Sequence, residues 1–205
     1  NRRILSEKSW DLILKPMKLN SGQSYPYGFG WFIDEVGGQI VHQHGGTWQG
    51  FTSQFYRFTG DNIAVILLTN ARSISVYGLP RRIGALLKPS LAPEPPPSIP
   101  ITDLDSGATQ YIRDKLIKIS KGDLTIEDFA FVRQTVFPRM RRSLTAQLKD
   151  LDAPDRMELL DRKLVGDDVS LQYWAWYGDT RFRVLVSLGP NRGLTALRLI
   201  PESTK

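Results

Sequence analysis

Residues 89–101 read Pro-Ser-Leu-Ala-Pro-Glu-Pro-Pro-Pro-Ser-Ile-Pro-Ile, and six prolines in that run divide the chain. Proline locks φ, removes a backbone donor and pushes the preceding residue out of the helical region, so neither a helix nor a central strand can run through it. The run predicts a semi-rigid extended linker and a domain boundary. The expected organisation is a first module over residues 1–88, a linker over 89–101 and a second module over 102–205. A length of 205 residues suits one large domain or two small ones.

In the first module, Leu5 to Leu14 has helical spacing, with Ser6 as cap and Pro16 beyond its end. Phe29 to Asp34 and Gln39 to His44 read as strands joined by Glu35-Val-Gly-Gly38. Phe51 to Phe58 alternates as a strand should. Ile63 to Leu68 is apolar on both faces, which predicts a central strand covered on both sides. Val76 to Leu87 is spaced as a helix. The second module reverses the order. Helices are expected over Ala108–Ile119, Leu124–Val132 and Gln134–Leu151. Strands are expected over Met157–Val165, Ser170–Tyr177, Arg181–Leu188 and Leu194–Ile200. Both halves are therefore α+β: an antiparallel sheet flanked by helices, then helices followed by a curved antiparallel sheet. The alternation places Tyr173, Ala175 and Tyr177 on one face of their strand, and Trp174 and Trp176 on the other; ordinary sheet packing explains these aromatics.

The segment His44-Gly-Gly-Thr-Trp-Gln-Gly-Phe51 carries the chemistry. Glycines beside a histidine between two strands suit a backbone that must approach another group closely. His42 and His44, two apart, share a face of an extended strand. A His-x-His pair needs further metal ligands; no Asp or Glu lies near it and the chain holds no cysteine, so no metal is expected. Net charge is +6, split as ten Lys/Arg against six Asp/Glu through Pro100 and seventeen against fifteen after it. That diffuse excess argues for solubility, not for nucleic-acid binding. The longest apolar run is too short to cross a bilayer.

Tyr27-Gly-Phe-Gly-Trp31, His44-Gly-Gly46, Gly50-Phe51 and the strand closing on Thr69-Asn70 together resemble the C-terminal part of the serine β-lactamase-like hydrolases. That family includes class C β-lactamases, penicillin-binding DD-peptidases, D-aminopeptidases and esterases. The resemblance covers residues 1–88. It implies an acyl-enzyme mechanism on amide or ester bonds, a small-molecule or peptide-like acyl substrate, no cofactor, and a periplasmic or extracellular setting. In such enzymes a Ser-x-x-Lys, a Tyr-x-Asn and a Lys-Thr-Gly or His-x-Gly strand share the work. Carried over, His44 is the first residue of the third motif, Gly46 its glycine, and Thr47 the backbone donor of the oxyanion hole. No serine here is followed by lysine three positions on, and no Tyr-x-Asn or Ser-x-Asn occurs. The expectation is therefore a C-terminal fragment that needs the missing N-terminal part of the same protein and is inactive alone. Residues 102–205 then form an accessory domain similar to cystatin- or NTF2-like folds. The alternative is a non-catalytic binding or scaffold protein with a degenerate transpeptidase-like half and an accessory domain that binds a ligand or partner.

Overall fold

The computed structural model describes residues 4–71, 76 and 78–202. The chain is α+β, with antiparallel sheets flanked by helices, and it divides into two compact units, Asn1–Pro96 and Pro97–Lys205.

The first unit begins with α1, Glu7–Ile13, which Ser6 caps by accepting from the Ser9 N–H at 3.2 Å. A two-stranded ribbon follows, β1 (Met17–Lys18) with β2 (Ser24–Tyr25), which the period-two pattern was too short to reveal. The main sheet has four strands in sequence order: β3 (Phe32–Val36), β4 (Gln39–Trp48), β5 (Phe51–Phe58) and β6 (Ile63–Thr69). Glu35 and Val36 belong to β3, so the hairpin turn is Gly37-Gly38 alone, both at positive φ. β4 does not stop at His44; its ladder with β5 continues to Trp48↔Phe51 and closes through Gln49-Gly50.

One face of this sheet buries Val36, Val41, Phe58 and Val65 beneath α2 (Leu79–Leu87) and the 3₁₀ turn Pro89–Leu91, whose Leu91 is fully buried. Gly84 lets α2 lie close: a methyl there would meet the Phe58 ring at 3.3 Å. α2 starts after Gly78, later than the Val76 expected; that prediction falls partly on residue 77, outside the described residues, as do 72–75. The proline run begins as part of this unit, since Arg81 donates to the Ala92 carbonyl at 2.7 Å and Leu91 fills the core.

The expectation that Ile63–Leu68 is central and covered twice is overturned. β6 is the edge strand, and Ile66 and Leu68 stand 60% and 80% exposed opposite buried Val65. Apolarity on both faces records a demand for cover, but among the described residues Ile66 and Leu68 are left largely uncovered while Val65 is buried.

In the second unit, α3 (Ser106–Lys121) is capped by Asp105 and ended by left-handed Gly122. α4 spans Phe137–Leu148, shorter than the Gln134–Leu151 expected, and carries Pro138 in its first turn, where the missing N–H costs nothing. The helix expected over Leu124–Val132 is a single 3₁₀ turn, Ile126–Asp128. Tertiary pairing overrides its helical spacing: Phe129 forms a parallel bridge with Leu194, and the Ala130 N–H donates to the Leu194 carbonyl at 2.9 Å.

The sheet is an antiparallel meander of β7 (Arg156–Val165), β8 (Asp168–Tyr177), β9 (Thr180–Leu188) and β10 (Leu194–Glu202). Its inner face buries Tyr173, Ala175, Tyr177, Phe182, Val184 and Val186 against Ile112, Leu116 and Ile119 of α3 and Leu144 and Leu148 of α4. Burial pushes the Tyr177 phenol up, despite nearby Arg113, so its hydroxyl stays neutral across the physiological range. The outer face carries the tryptophans. Arg181 and Arg183 lie 4.0 and 4.1 Å from the Trp174 ring centre, and Arg156 lies 4.0 Å from that of Trp176. The end of the proline run belongs here: Trp174 Nε1–H donates to the Ser98 carbonyl at 3.4 Å, and Ile101 N–H to the Leu159 carbonyl at 2.8 Å. Between sheet and helices the inner-face side chains pack as an ordinary core.

Candidate active site

The two histidines of β4 have different surroundings. His42 is 4% exposed, and neither ring nitrogen has a partner among the described residues. Burial, assisted by Arg57 on the neighbouring strand, pushes its pKa below the usual histidine value, so His42 is held neutral. It belongs to the interior and does not share a cleft with His44, as the two-residue spacing alone would suggest.

His44 is exposed. Its Nε2 lies 3.3 Å from the Tyr27 hydroxyl, and the Phe32 ring stacks on it with centroids 6.0 Å apart. Tyr27 and Phe32 meet edge to face at 4.7 Å, so the imidazole is bounded by two aromatic rings that support each other. The lateral pairing of β4 with β3 runs only from Gln39↔Val36 to Gln43↔Phe32. From His44 onward, the described ladder of β4 is with β5 alone. His44 therefore stands within the strand, four residues before its end at Trp48, where one backbone edge passes from paired to unpaired.

Beyond it lies an open cavity of about 630 Å³ lined by Gly46, Thr47, Trp48, Phe51, Thr52, Ser53, Leu68, Thr69 and Asn70. Trp48, Phe51 and Leu68 are 74%, 61% and 80% exposed and give it an apolar wall. Gly46 and Thr47 line this cavity; His44 stands beside it on the same strand and is not part of the lining. Thr52, Ser53, Thr69 and Asn70 add hydroxyl and amide groups to the lining.

The two glycines differ in what they permit. A methyl on Gly45 would stand 2.5 Å from the Gln54 side-chain oxygen. Gln54 is buried and donates through Nε2 to Gln43 Oε1 at 3.0 Å, so it has little room to retreat. A methyl on Gly46 would meet only the Ser53 hydroxyl, at 3.0 Å, which can rotate. Glycine at 45 is thus required by packing, and glycine at 46 leaves the strand surface bare where the cavity opens.

Sequence reasoning singled out His44, Gly46 and Thr47, which one strand brings together. It did not identify Tyr27 or Phe32 as neighbours of the imidazole, although Tyr27 opens the Tyr-Gly-Phe-Gly-Trp frame. Among the described residues no three His, Cys, Asp or Glu side chains converge as a metal-holding group. Among them, too, no helix is long and apolar enough to cross a membrane.

No family model matches the chain. Over 76 residues it is 31% identical to penicillin-binding protein 4* of Bacillus subtilis (strain 168), a match covering 36% of this chain and 17% of that protein. That partial match suggests a distant relation to the penicillin-binding and β-lactamase superfamily.

Proposed function

We propose that this chain supplies the His-x-Gly strand and oxyanion-hole donor of a serine hydrolase that cleaves amide or ester bonds through an acyl-enzyme. The observation that carries the reading is the layout of β4: an exposed imidazole at His44, then Gly46 and Thr47 on the wall of an open, largely apolar cavity. The distant relation to a penicillin-binding protein supports it.

In this reading the acyl group of a small-molecule or peptide-like substrate lies along the bare strand at Gly46. The Thr47 backbone N–H donates to the carbonyl oxygen as negative charge develops there. His44 offers a hydrogen bond, or a positive charge when protonated, to the substrate carboxylate and to the proton relay. The Ser-x-x-Lys nucleophile and base and the Tyr-x-Asn loop come from outside these residues. The unit Pro97–Lys205 is accessory and contributes no reacting group.

Two measurements test this. The 205-residue chain by itself should not be labelled by a penicillin or fluorophosphonate probe; stoichiometric labelling would place a nucleophile within it and sink the assignment. In the protein joined to its Ser-x-x-Lys region, His44→Ala should lower kcat/KM by about 10²-fold, the worth of a lost electrostatic and proton-relay group. An unchanged rate removes His44 from the mechanism.

A further inference from the structure

We infer that Tyr27 is a positioning residue for His44: its phenol O–H donates to Nε2 and holds the neutral imidazole as the Nδ1–H tautomer. The catalytic meaning of this rests on the hydrolase reading; the tautomer itself does not.

The geometry puts the Tyr27 hydroxyl 3.3 Å from His44 Nε2. Either atom could be the donor in a pair of this kind, because a neutral imidazole has one N–H and one lone-pair nitrogen. Chemistry chooses between the two arrangements. The imidazole lone pair is a strong acceptor, whereas the phenol oxygen shares its electrons with the ring and accepts poorly. The favoured bond is therefore O–H to Nε2, which leaves the proton on Nδ1. A free histidine in water prefers the opposite tautomer, so the bond should reverse an intrinsic preference.

The surroundings keep the two groups in place. The Tyr27 ring packs edge-on against Phe32 at 4.7 Å, and Phe32 stacks on the imidazole. The backbone of Tyr27 is tied on both sides: its carbonyl accepts from the Met17 N–H at 2.9 Å, and its N–H donates to the Tyr25 carbonyl at 2.7 Å. Among the described residues no carboxylate or cation is hydrogen-bonded to His44. The phenol is the polar group that selects its tautomer, and with Nε2 engaged the imidazole presents Nδ1–H as its donor. In the hydrolase reading that N–H is the one available to a substrate carboxylate or carbonyl.

The test reads the ring nitrogens of the ¹⁵N-labelled 205-residue chain by long-range proton–nitrogen correlation at about pH 8, where an ordinary histidine is neutral. Only two histidines are present, and the pattern lost in His44→Gln identifies the His44 ring. Nδ1–H should dominate at His44 in the unaltered chain. Tyr27→Phe keeps the ring against Phe32 and removes the donor. It should move the tautomer ratio about tenfold toward Nε2–H, the worth of one hydrogen bond. Tyr27→Leu, which also lacks a donor, should shift it the same way and serves if the first variant folds poorly. Dominant Nε2–H in the unaltered chain, or a ratio that moves less than about threefold in both variants, overturns the inference. Failure of the hydrolase reading would appear instead in probe labelling or in the rate of His44→Ala, and would leave the tautomer result intact.

Discussion

Asp128→Ala should destabilise the unit Pro97–Lys205 by about 3 kcal/mol, because it strands a buried cation and an amide at once. Asp128 is 5% exposed and accepts from Lys115 Nζ at 2.5 Å, Lys118 Nζ at 3.0 Å and the Thr125 N–H at 2.8 Å. Lys118 is half-exposed and loses less. The Lys115 side chain is 13% exposed and stacks beside the Tyr111 ring at 4.4 Å, so its ammonium would remain desolvated without its counter-charge. The melting temperature of the chain's Pro97–Lys205 transition should fall by roughly 15 °C, given how unfolding entropy scales with domain size. A fall of only a degree or two would show that the carboxylate is not what fastens the Ile126–Asp128 turn to α3.

The same site predicts an acid limb. Burial pushes the Asp128 carboxyl up, but the bonds from Lys115, Thr125 and Lys118 outweigh it and hold the pKa down at about 2. A carboxyl lowered on folding contributes stability that is complete above its unfolded pKa and is lost as pH falls through the folded one. The contribution, roughly 2 kcal/mol, should therefore be present above about pH 5 and decline between there and pH 2. Asp128→Asn should flatten that limb. An acid-unfolding curve of unchanged steepness would contradict the assignment.

What the sequence disclosed and what it withheld divide along physical lines. The meander β7–β10 was readable because each strand alternates over nine or ten residues and Gly166 and Gly178 mark its tight turns. The same alternation separated Tyr173 and Tyr177, now in the core, from Trp174 and Trp176 on the outer face. The helix expected over Leu124–Val132 misled because local spacing is blind to a partner 65 residues away; Leu194 takes the backbone at Phe129 and Ala130 into a bridge. β6 misled because an apolar residue states what it would bury against without showing that anything lies there. The exposure of His44 could be anticipated from its glycine neighbours. Its bond to Tyr27 could not, since the two are 17 residues apart and meet only when β3 folds back beside β4. Likewise, periodicity could not reveal that Gly45 is the glycine constrained by Gln54, because that depends on the register of β4 against β5.

Gly28→Ala should be the substitution that most directly couples this fold to its site. A methyl at Gly28 would stand 2.5 Å from the Ile13 carbonyl oxygen and 3.0 Å from that of Lys15. Both atoms are backbone at the end of α1, so no side chain can swing aside. Either α1 withdraws or the loop from Pro26 to Trp31 does. That loop is fixed by the Gly28 N–H donating to the Trp31 carbonyl at 2.7 Å and the Ile33 N–H to the Pro26 carbonyl at 2.9 Å. Forced overpacking of this kind costs about 3 kcal/mol, at the upper end for an inserted methyl. The displacement reaches the adjacent Tyr27, whose hydroxyl would leave His44. Two readouts should therefore change together: the first unit should melt earlier, and His44 should move toward the Nε2–H tautomer as it does in Tyr27→Phe. Gly22→Ala is the control. Gly22 has positive φ, at 86°, which Gly28 does not, and a methyl there meets nothing within 4 Å. Its cost should be limited to backbone strain of about 1 kcal/mol, with the His44 ring unchanged. Equal effects from the two substitutions would mean that the close approach of Gly28 to α1 does not set the cost at this corner. The route from helix to imidazole through Tyr27 would then fail.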